Sequence, residues 1–341
     1  MASELDRRLD DALEGSQREL ARLISAIENG ADGVLELLDR IEALDVSPAQ
    51  VIGVTGPPGA GKSTLVDRLL GRLRAAGERV AVLLVDPSSP FSGGAVLGDR
   101  IRMQRHTADE GVFIRSLGSR GHQGGLTRAT DRVLRLVRAV GFDRVILETV
   151  GVGQTELQVM DLADSVLVLL VPEAGDSVQA MKAGLLEIAD LFAVNKCDRP
   201  GADKLVLELQ QAVHHSGASP RRRAGAGEDD WSIPVHAVAA SLDQGMDELL
   251  VSLDDHRRFR IRNPAPVPDA ETRLAGLLED ALRPRIAAAL AGAPATGPLA
   301  ALVVSVRGGG TSPFRAAARI LADPTLLAAL LGPGDGDGAD D

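Results

Sequence analysis

The 341-residue chain has no tyrosine, one tryptophan (Trp231) and six phenylalanines, so aromatic side chains make up only 2% of it. Its core must therefore be aliphatic, and it lacks the stacked aromatic platforms on which single-stranded nucleic acid is held. A single cysteine, Cys197, excludes an internal disulfide and any cysteine-cluster metal site. Basic residues are in deficit: 37 Lys and Arg against 48 Asp and Glu give a net charge of −11. That charge repels nucleic-acid phosphates and anionic lipid headgroups, leaving small molecules and proteins as the expected partners. No apolar run approaches the length of a membrane span, and the opening MASELDRRLDDALEG is acidic rather than apolar. Neither a signal peptide nor an anchor is expected, and the cytoplasm is the expected compartment.

What is present separates into regions by pattern. From Ser3 to about Leu44, leucine and isoleucine recur at helical spacing (Leu20, Leu23, Ile24, Ile27; Leu35, Leu38, Ile41), and SQRE at Ser16–Glu19 has the form of a capping box. From Val51 to about Leu253, seven short aliphatic runs alternate with helical patterns: VIGVT, RVAVLLVD, GVFIRSL, RVILETV, SVLVLLV, DLFAVNK and IPVHAV. Buried strands with helices between them predict an α/β fold, a doubly wound and mostly parallel sheet, with N-terminal and C-terminal helical extensions. The expected boundaries are 1–48 for the N-terminal extension, 49–258 for the α/β domain, 259–331 for the C-terminal helical region and 332–341 for an acidic tail. In the third region, ETRLAGLLEDALRPRIAAALAG and SPFRAAARILADPTLLAALLG read as helices separated by a Gly/Pro/Ala-rich turn region. The tail GPGDGDGADD is expected to be disordered, and HHSGASPRRRAGAGEDDW to be a surface loop inserted before a late strand.

GPPGAGKST, from Gly56 through Pro57, Pro58, Gly59, Ala60, Gly61, Lys62 and Ser63 to Thr64, fits G-x-x-x-x-G-K-[ST]. It follows a strand and opens a helix expected to run to about Ala76, which is the context that makes this pattern a phosphate loop. Backbone amides from Gly59 to Ser63 would surround a β-phosphate, Lys62 would bridge the β- and γ-phosphates, and the Ser63 hydroxyl would ligate Mg²⁺. The base is read elsewhere. FAVNKCD sets Asn195, Lys196 and Asp198 at the end of a buried strand, as a guanine-recognition N-K-x-D motif requires. Asp198 would accept from guanine N1–H and the exocyclic amine, a donor pair that adenine lacks; Asn195 would brace the loop, and Lys196 would lie along the base. AVAASLDQGMDEL would supply the second wall of the base pocket through backbone amides at Ala239, Ala240 and Ser241. Here the usual Ser-Ala is Ala-Ala, which loses a hydroxyl and keeps the amides.

Three carboxylates stand at suitable places for metal chemistry: Asp86 at the end of VLLVD, Asp99 on a loop entering a helix, and Glu148 at the end of VILET. With Lys62, they are the catalytic candidates, and with Ser63 the metal candidates, because Mg²⁺ takes one or two carboxylates, phosphate oxygens and water. Each taken alone reads as a helix cap or a solvated charge. His106 and His122 flank these segments and read as solvated or structural, Cys197 fills a permissive position of the base motif, and Trp231 is expected to pack over a strand edge. The pair His214–His215 is expected to decorate a solvated loop.

Taken together, GPPGAGKSTLVDRL, DPSSPFSGGAVLGDRIRM, ILETVGVGQTE, PEAGDSVQAMKAG and VNKCDRPGAD, in this order, resemble the MeaB/ArgK/MMAA group of P-loop GTPases, and the similarity covers nearly the whole chain. The resemblance implies a GTPase using Mg²⁺ with GTP or GDP. It also implies a homodimer held partly by C-terminal helices, and a chaperone of adenosylcobalamin-dependent methylmalonyl-CoA mutase that gates cofactor loading and protects or rescues the enzyme. It further implies switch segments around Asp86 to Asp99, at Gly151 and Gly153, and from Glu173 to Lys182, where Gln179 and Lys182 would couple the nucleotide to the partner. Three other readings stand beside it. One is a transport-associated ATPase or kinase for basic amino acids, against which NKCD and the lack of a membrane segment weigh. The others are a nickel-insertion GTPase and a P-loop metabolite kinase.

Overall fold

The computed structural model describes residues 3–44, 49–86, 106, 108–118, 125–149, 154–172, 185–215, 231–264, 269–292 and 298–331. Asp99, His122, Gly151, Gly153, Gln179, Lys182, residues 216–230 of the expected surface loop and the acidic tail lie outside them, and of Asp86 only the backbone is described.

The seven expected segments each form a strand: β1 (Gln50–Thr55), β2 (Val80–Asp86), β3 (Val112–Gly118), β4 (Arg144–Thr149), β5 (Ser165–Leu170), β6 (Leu191–Val194) and β7 (Val235–Ala237). They make one sheet of order β3-β2-β4-β1-β5-β6-β7, parallel at every pairing. Strands β1, β4 and β5 are buried at every residue, which is why they read as unbroken aliphatic runs rather than alternating ones. The alternation reappears in which layer each side chain joins. Ile52 and Val54 pack with Leu65, Leu69 and Leu73 of helix α4 (Lys62–Ala75), while Val51 joins the opposite layer. In that opposite layer, helices α5 (Gly125–Ala139), α6 (Gln154–Met160) and α7 (Ala202–His215) cover the sheet. Helix α8 (Met246–Arg262) lies with α4, through Met246, Leu249 and Leu253.

The N-terminal region is helical as expected: α1 (Glu4–Leu13), α2 (Gln17–Asn29) and α3 (Val34–Glu42) bury one apolar stripe each in the α5 layer. Ser16 caps α2 by accepting from the Glu19 amide, but the complete reciprocal capping box is at Ser3 and Asp6, one helix earlier. Gln17 Nε2 donates to the carbonyls of Glu110 and Val112, both at 3.0 Å, and Arg115 of β3 pairs with Glu28 at 3.0 Å. These contacts cover the start of the edge strand β3.

At the opposite end of the sheet from the phosphate loop runs a buried polar chain. Arg144 reaches Glu78 at 2.7 Å, Asp254 and the Gln50 carboxamide oxygen. Gln50 donates to Ser165 Oγ at 2.9 Å, which meets His256 Nδ1 at 2.7 Å. Trp231 Nε1 donates to the Asp190 carbonyl at 2.8 Å, and its ring lies 4.7 Å from that of His256 and 5.5 Å from that of Phe259. His214 and His215 end helix α7, exposed, rather than belonging to the loop in which the sequence places them.

The chain divides into two compact units, Met1–Ala265 and Pro266–Asp341, and α8 runs unbroken through position 258. The second unit holds α9 (Ala270–Ala291), α10 (Pro298–Arg307), α11 (Pro313–Ala322) and α12 (Pro324–Leu331), with Leu299, Leu302, Ile320, Leu326 and Leu330 in its core. Helix α10 corrects the reading of its segment as a turn region. PLAALVVSVR is apolar nearly all round, so it shows no amphipathic period, and the flanking Gly and Pro concealed it.

Gly53 of β1 sets how closely α6 can approach: a Cβ there would sit 2.8 Å from Met160 Sδ and 2.9 Å from Ala163 Cβ. Gly53→Ala is expected to overpack this layer and cost about 1–3 kcal/mol, read as a lowered midpoint in urea denaturation at unchanged slope.

Candidate nucleotide site

Strand β1 ends at Thr55, and the loop from Gly56 leads into α4 at Lys62. Helices α1, α2, α9 and α11 are capped by the side chains of Ser3, Ser16, Asp269 and Ser312, whereas α4 begins on Gly61, which has none, and carries no acidic residue in its first turn. Its positive end is therefore offered to an external anion. Gly61 holds φ 89°, and a Cβ there would lie 2.4 Å from Asn195 Nδ2, so both conformation and neighbour demand glycine. The Lys62 ammonium is buried and donates to the carbonyls of Gly56 at 2.7 Å and Pro57 at 3.2 Å, which holds it across the loop it must serve.

Glu148 sits opposite Val54 and Leu84 in the sheet register, so its side chain shares their face, the one that α4 covers. There the Ser63 hydroxyl donates to Glu148 Oε1 at 2.9 Å, with both residues buried; one residue on, toward the opposite face, Thr149 Oγ1 lies 3.1 Å from Thr55 Oγ1. Hydroxyl and carboxylate form a hard oxygen pair at the mouth of the phosphate loop. Asp86 ends β2, where the preceding Val85 is level with Thr149, so three strand ends converge on this edge. Among the described residues no three His, Cys, Asp or Glu are grouped to hold a metal. A small divalent ion here would take the Ser63–Glu148 pair and complete its shell from phosphate oxygens and water.

On the base side, Asn195 is 3% exposed; its Nδ2 donates to the Ala60 carbonyl at 2.7 Å and its Oδ1 accepts from the Ala240 amide at 3.1 Å. The two partners fix the orientation of the carboxamide. One side chain thus ties the phosphate loop to the loop proposed to face the base. Lys196 takes a left-handed backbone, φ 59°, and the Cys197 amide donates to the Val238 carbonyl at 3.0 Å. This turn leaves Asp198 exposed beside half-buried Lys196 and Cys197. Burial, and then the charge of Asp198, push the Cys197 thiol up from its ordinary pKa, so it is a protonated bystander at neutral pH. Ala239 and Ala240 are buried and Ser241 is exposed, in a short 3₁₀ turn, Ala240–Leu242.

The structure adds residues that the sequence did not single out. Arg68 and Arg72, on the outer face of α4, both reach the 239–247 segment. Nothing in the sequence separates them from an ordinary solvated face. His106 Nε2 lies 3.2 Å from Asp67 Oδ1 of α4, which agrees with a structural part.

A phosphate loop opening α4, a buried hydroxyl–carboxylate pair beside it and an Asn-Lys-x-Asp turn joined to it define a P-loop nucleoside triphosphatase. The comparisons with known proteins refine this class. The family model described as methylmalonyl Co-A mutase-associated GTPase MeaB matches residues 20–276. A Pyrococcus abyssi protein named as a GTPase is 44% identical over 259 residues, 76% of this chain and 78% of that protein. The methylmalonic aciduria type A homolog, mitochondrial, of Mus musculus is 39% identical over 199 residues, 58% of this chain and 46% of that protein. A crystal structure of a LAO/AO transport system kinase has a TM-score of 0.63 at 23% identity, over 94% of this chain and 98% of that one, a likeness of fold. The chain belongs to the MeaB family of P-loop GTPases and hydrolyses GTP.

Asn195→Ala removes both ties at once. Guanine-nucleotide affinity is expected to fall by at least tenfold, each lost bond to a buried group being worth about 1–3 kcal/mol, as measured by calorimetry with GDP.

Proposed function

We propose that this GTPase is a chaperone of an adenosylcobalamin-dependent acyl-CoA mutase, with methylmalonyl-CoA mutase as the first candidate. It gates loading of the cobalamin cofactor and protects or reactivates the enzyme. The observation that carries this reading is the family match over residues 20–276, whose description names that mutase. The transport-kinase reading has a likeness of fold alone behind it, and no observation of this chain favours the nickel-insertion or metabolite-kinase readings.

In this reading the residues from Gly56 to Thr64 hold the phosphates and Lys62 tracks the charge that moves from the γ-phosphate toward the leaving oxygen. Ser63 and Glu148, with Asp86 and Asp99 as the further carboxylates, would hold Mg²⁺. The ion, when bound, neutralises phosphate charge. Asp198 reads the two guanine donors, with Lys196 along the ring and Ala239–Ser241 as the second wall. Gln179 and Lys182 are assigned to partner coupling by the family likeness alone. The protein acts as a homodimer through its C-terminal helices. Support for the dimer is the exposure of Leu274, Leu277 and Leu278, three leucines at i, i+3 and i+4 on α9. The expected division at 1–48, 49–258, 259–331 and 332–341 stands as part of this proposal. Among the described residues no helix is long and apolar enough to cross a membrane.

Three experiments test it. Purified methylmalonyl-CoA mutase should raise GTP turnover and co-elute with the chain in size-exclusion chromatography. A mutase that does neither in the presence of GTP, GDP or a non-hydrolysable analogue overturns the chaperone reading. Lys62→Ala should lower kcat by about 10²–10³-fold with nucleotide still bound, read by single-turnover hydrolysis. Asp198→Asn should lose bonds worth about 1.5–3 kcal/mol each and turn preference from guanine toward xanthine nucleotides, read by competition binding.

A further inference from the structure

The base-facing loop is held from two sides. From one side Asn195 binds the Ala240 amide, and from the other α4 reaches over it. Arg68 Nε donates to the Ala240 carbonyl at 3.1 Å and its Nη2 to the Ser241 carbonyl at 3.4 Å. One turn further along, Arg72 Nη1 donates to Asp243 Oδ1 at 2.7 Å and its Nε to Asp247 Oδ1 at 2.6 Å. Arg68 also approaches Asp243 at 4.0 Å, so this carboxylate sits between the two guanidiniums. The hydrogen bond with Asp243, then that with Asp247, hold the Arg72 guanidinium well above its ordinary pKa.

The loop they grip is internally tight. Ala239 and Gln244 exchange backbone bonds, Ala239 N to Gln244 O at 3.1 Å and Gln244 N to Ala239 O at 3.2 Å. Asp243 at the tip holds a left-handed backbone, φ 62°. A loop closed on itself in this way moves as one piece, so its position relative to the base depends on what anchors it from outside. The outside anchors close a ring: the phosphate loop carbonyl of Ala60, the Asn195 side chain, the Ala240 amide, the Ala240 carbonyl, Arg68, and then α4 back to the phosphate loop.

We infer that Arg68 is a specificity-determining positioning residue of the GTPase, and that the Arg72–Asp243–Asp247 bridge is its outer lock. Arg68 does not touch the nucleotide. It sets the distance between the helix that holds the phosphates and the loop amides that face the base, so guanine is read only at the spacing the phosphates impose. Two donors of one planar fork meeting two successive carbonyls fix that spacing in a way that a single ammonium does not. The inference rests on the reading of Ala239–Ser241 as the second wall of the base pocket.

The test uses the full-length chain. Arg68→Met is expected to raise KM for GTP and the Kd for GDP by about tenfold, with kcat retained within about twofold, because Lys62, Ser63 and Glu148 are left in place. The ratio of GDP to ADP affinity should fall by the same factor, while affinity for inorganic tripolyphosphate, which has no base, should stay at the wild-type value. Arg68→Lys should recover part of the loss. Asp243→Asn, which keeps a residue tolerant of the left-handed backbone, should move the same ratio in the same direction by a smaller factor, and it decides the matter by itself if Arg68→Met does not fold. Equal losses for GDP and tripolyphosphate, or a fall in kcat matching the rise in KM, would reduce Arg68 to a general structural role and overturn the inference. Unchanged GDP-to-ADP selectivity in both variants overturns it also. Asp198→Asn, run in parallel, separates the two levels: if it too leaves selectivity unchanged, the base-pocket reading is what failed. If it abolishes selectivity while the Arg68 and Asp243 variants do not, only the clamp fails.

Discussion

The carboxamide of Asn195 is the constraint on which the site depends. A buried side chain with one donor pair and one acceptor can serve two backbone segments at once, and here it serves the phosphate loop at Ala60 and the 239–241 loop at Ala240. Three features follow from that one placement. Gly61 must be glycine, since any side chain would enter the space of the Asn195 amide. Strand β6 must end at Val194, so that the next residue points across the sheet edge. The turn after it must pass through a left-handed residue, Lys196, for the chain to fold back and leave Asp198 at the surface beside the loop. The Ala-Ala pair of the second loop has no hydroxyl to offer, and Asn195 engages that loop through its backbone.

Most of the α/β architecture was legible because burial on both faces writes itself into sequence. A strand covered on two sides is an uninterrupted aliphatic run, as β1, β4 and β5 are, while the edge strands β3 and β7 are partly exposed and their runs carry Arg115, Ser116 and His236. The phosphate loop and the N-K-x-D turn were legible for a related reason: both depend on residue types at fixed spacing along one stretch of chain. Helix α10 was not, because a helix apolar around most of its circumference carries no period. The meeting of Ser63 with Glu148 could be guessed as a set but not as a contact, since 85 residues separate them. Arg68 and Arg72 were invisible for the opposite reason to α10: arginines four apart on a polar helix face are what any solvated helix displays.

The polar chain at the far end of the sheet illustrates how geometry and access must be weighed together. Ser165, His256 and Asp190 stand in a line, with His256 Nδ1 2.7 Å from the serine and Nε2 3.6 Å from the aspartate. Such an order of groups suggests nucleophile activation, yet the three are 0%, 1% and 4% exposed, and no substrate can reach the hydroxyl. Their part is to join β5, β6 and α8, and through Gln50 and Arg144 to extend that junction to β1 and β4. A buried network of this kind is costly when half satisfied and therefore favours one register of the strands it joins.

The same junction carries Trp231, donating to Asp190 and lying against His256 and Phe259. Because the chain has no tyrosine and no second tryptophan, its ultraviolet emission comes essentially from this one indole. The protein thus contains a built-in single-site optical reporter, placed on the packing between β6 and α8 rather than on the phosphate loop. Light emitted by this chain is a record of what happens at the floor of the sheet when the opposite edge is occupied.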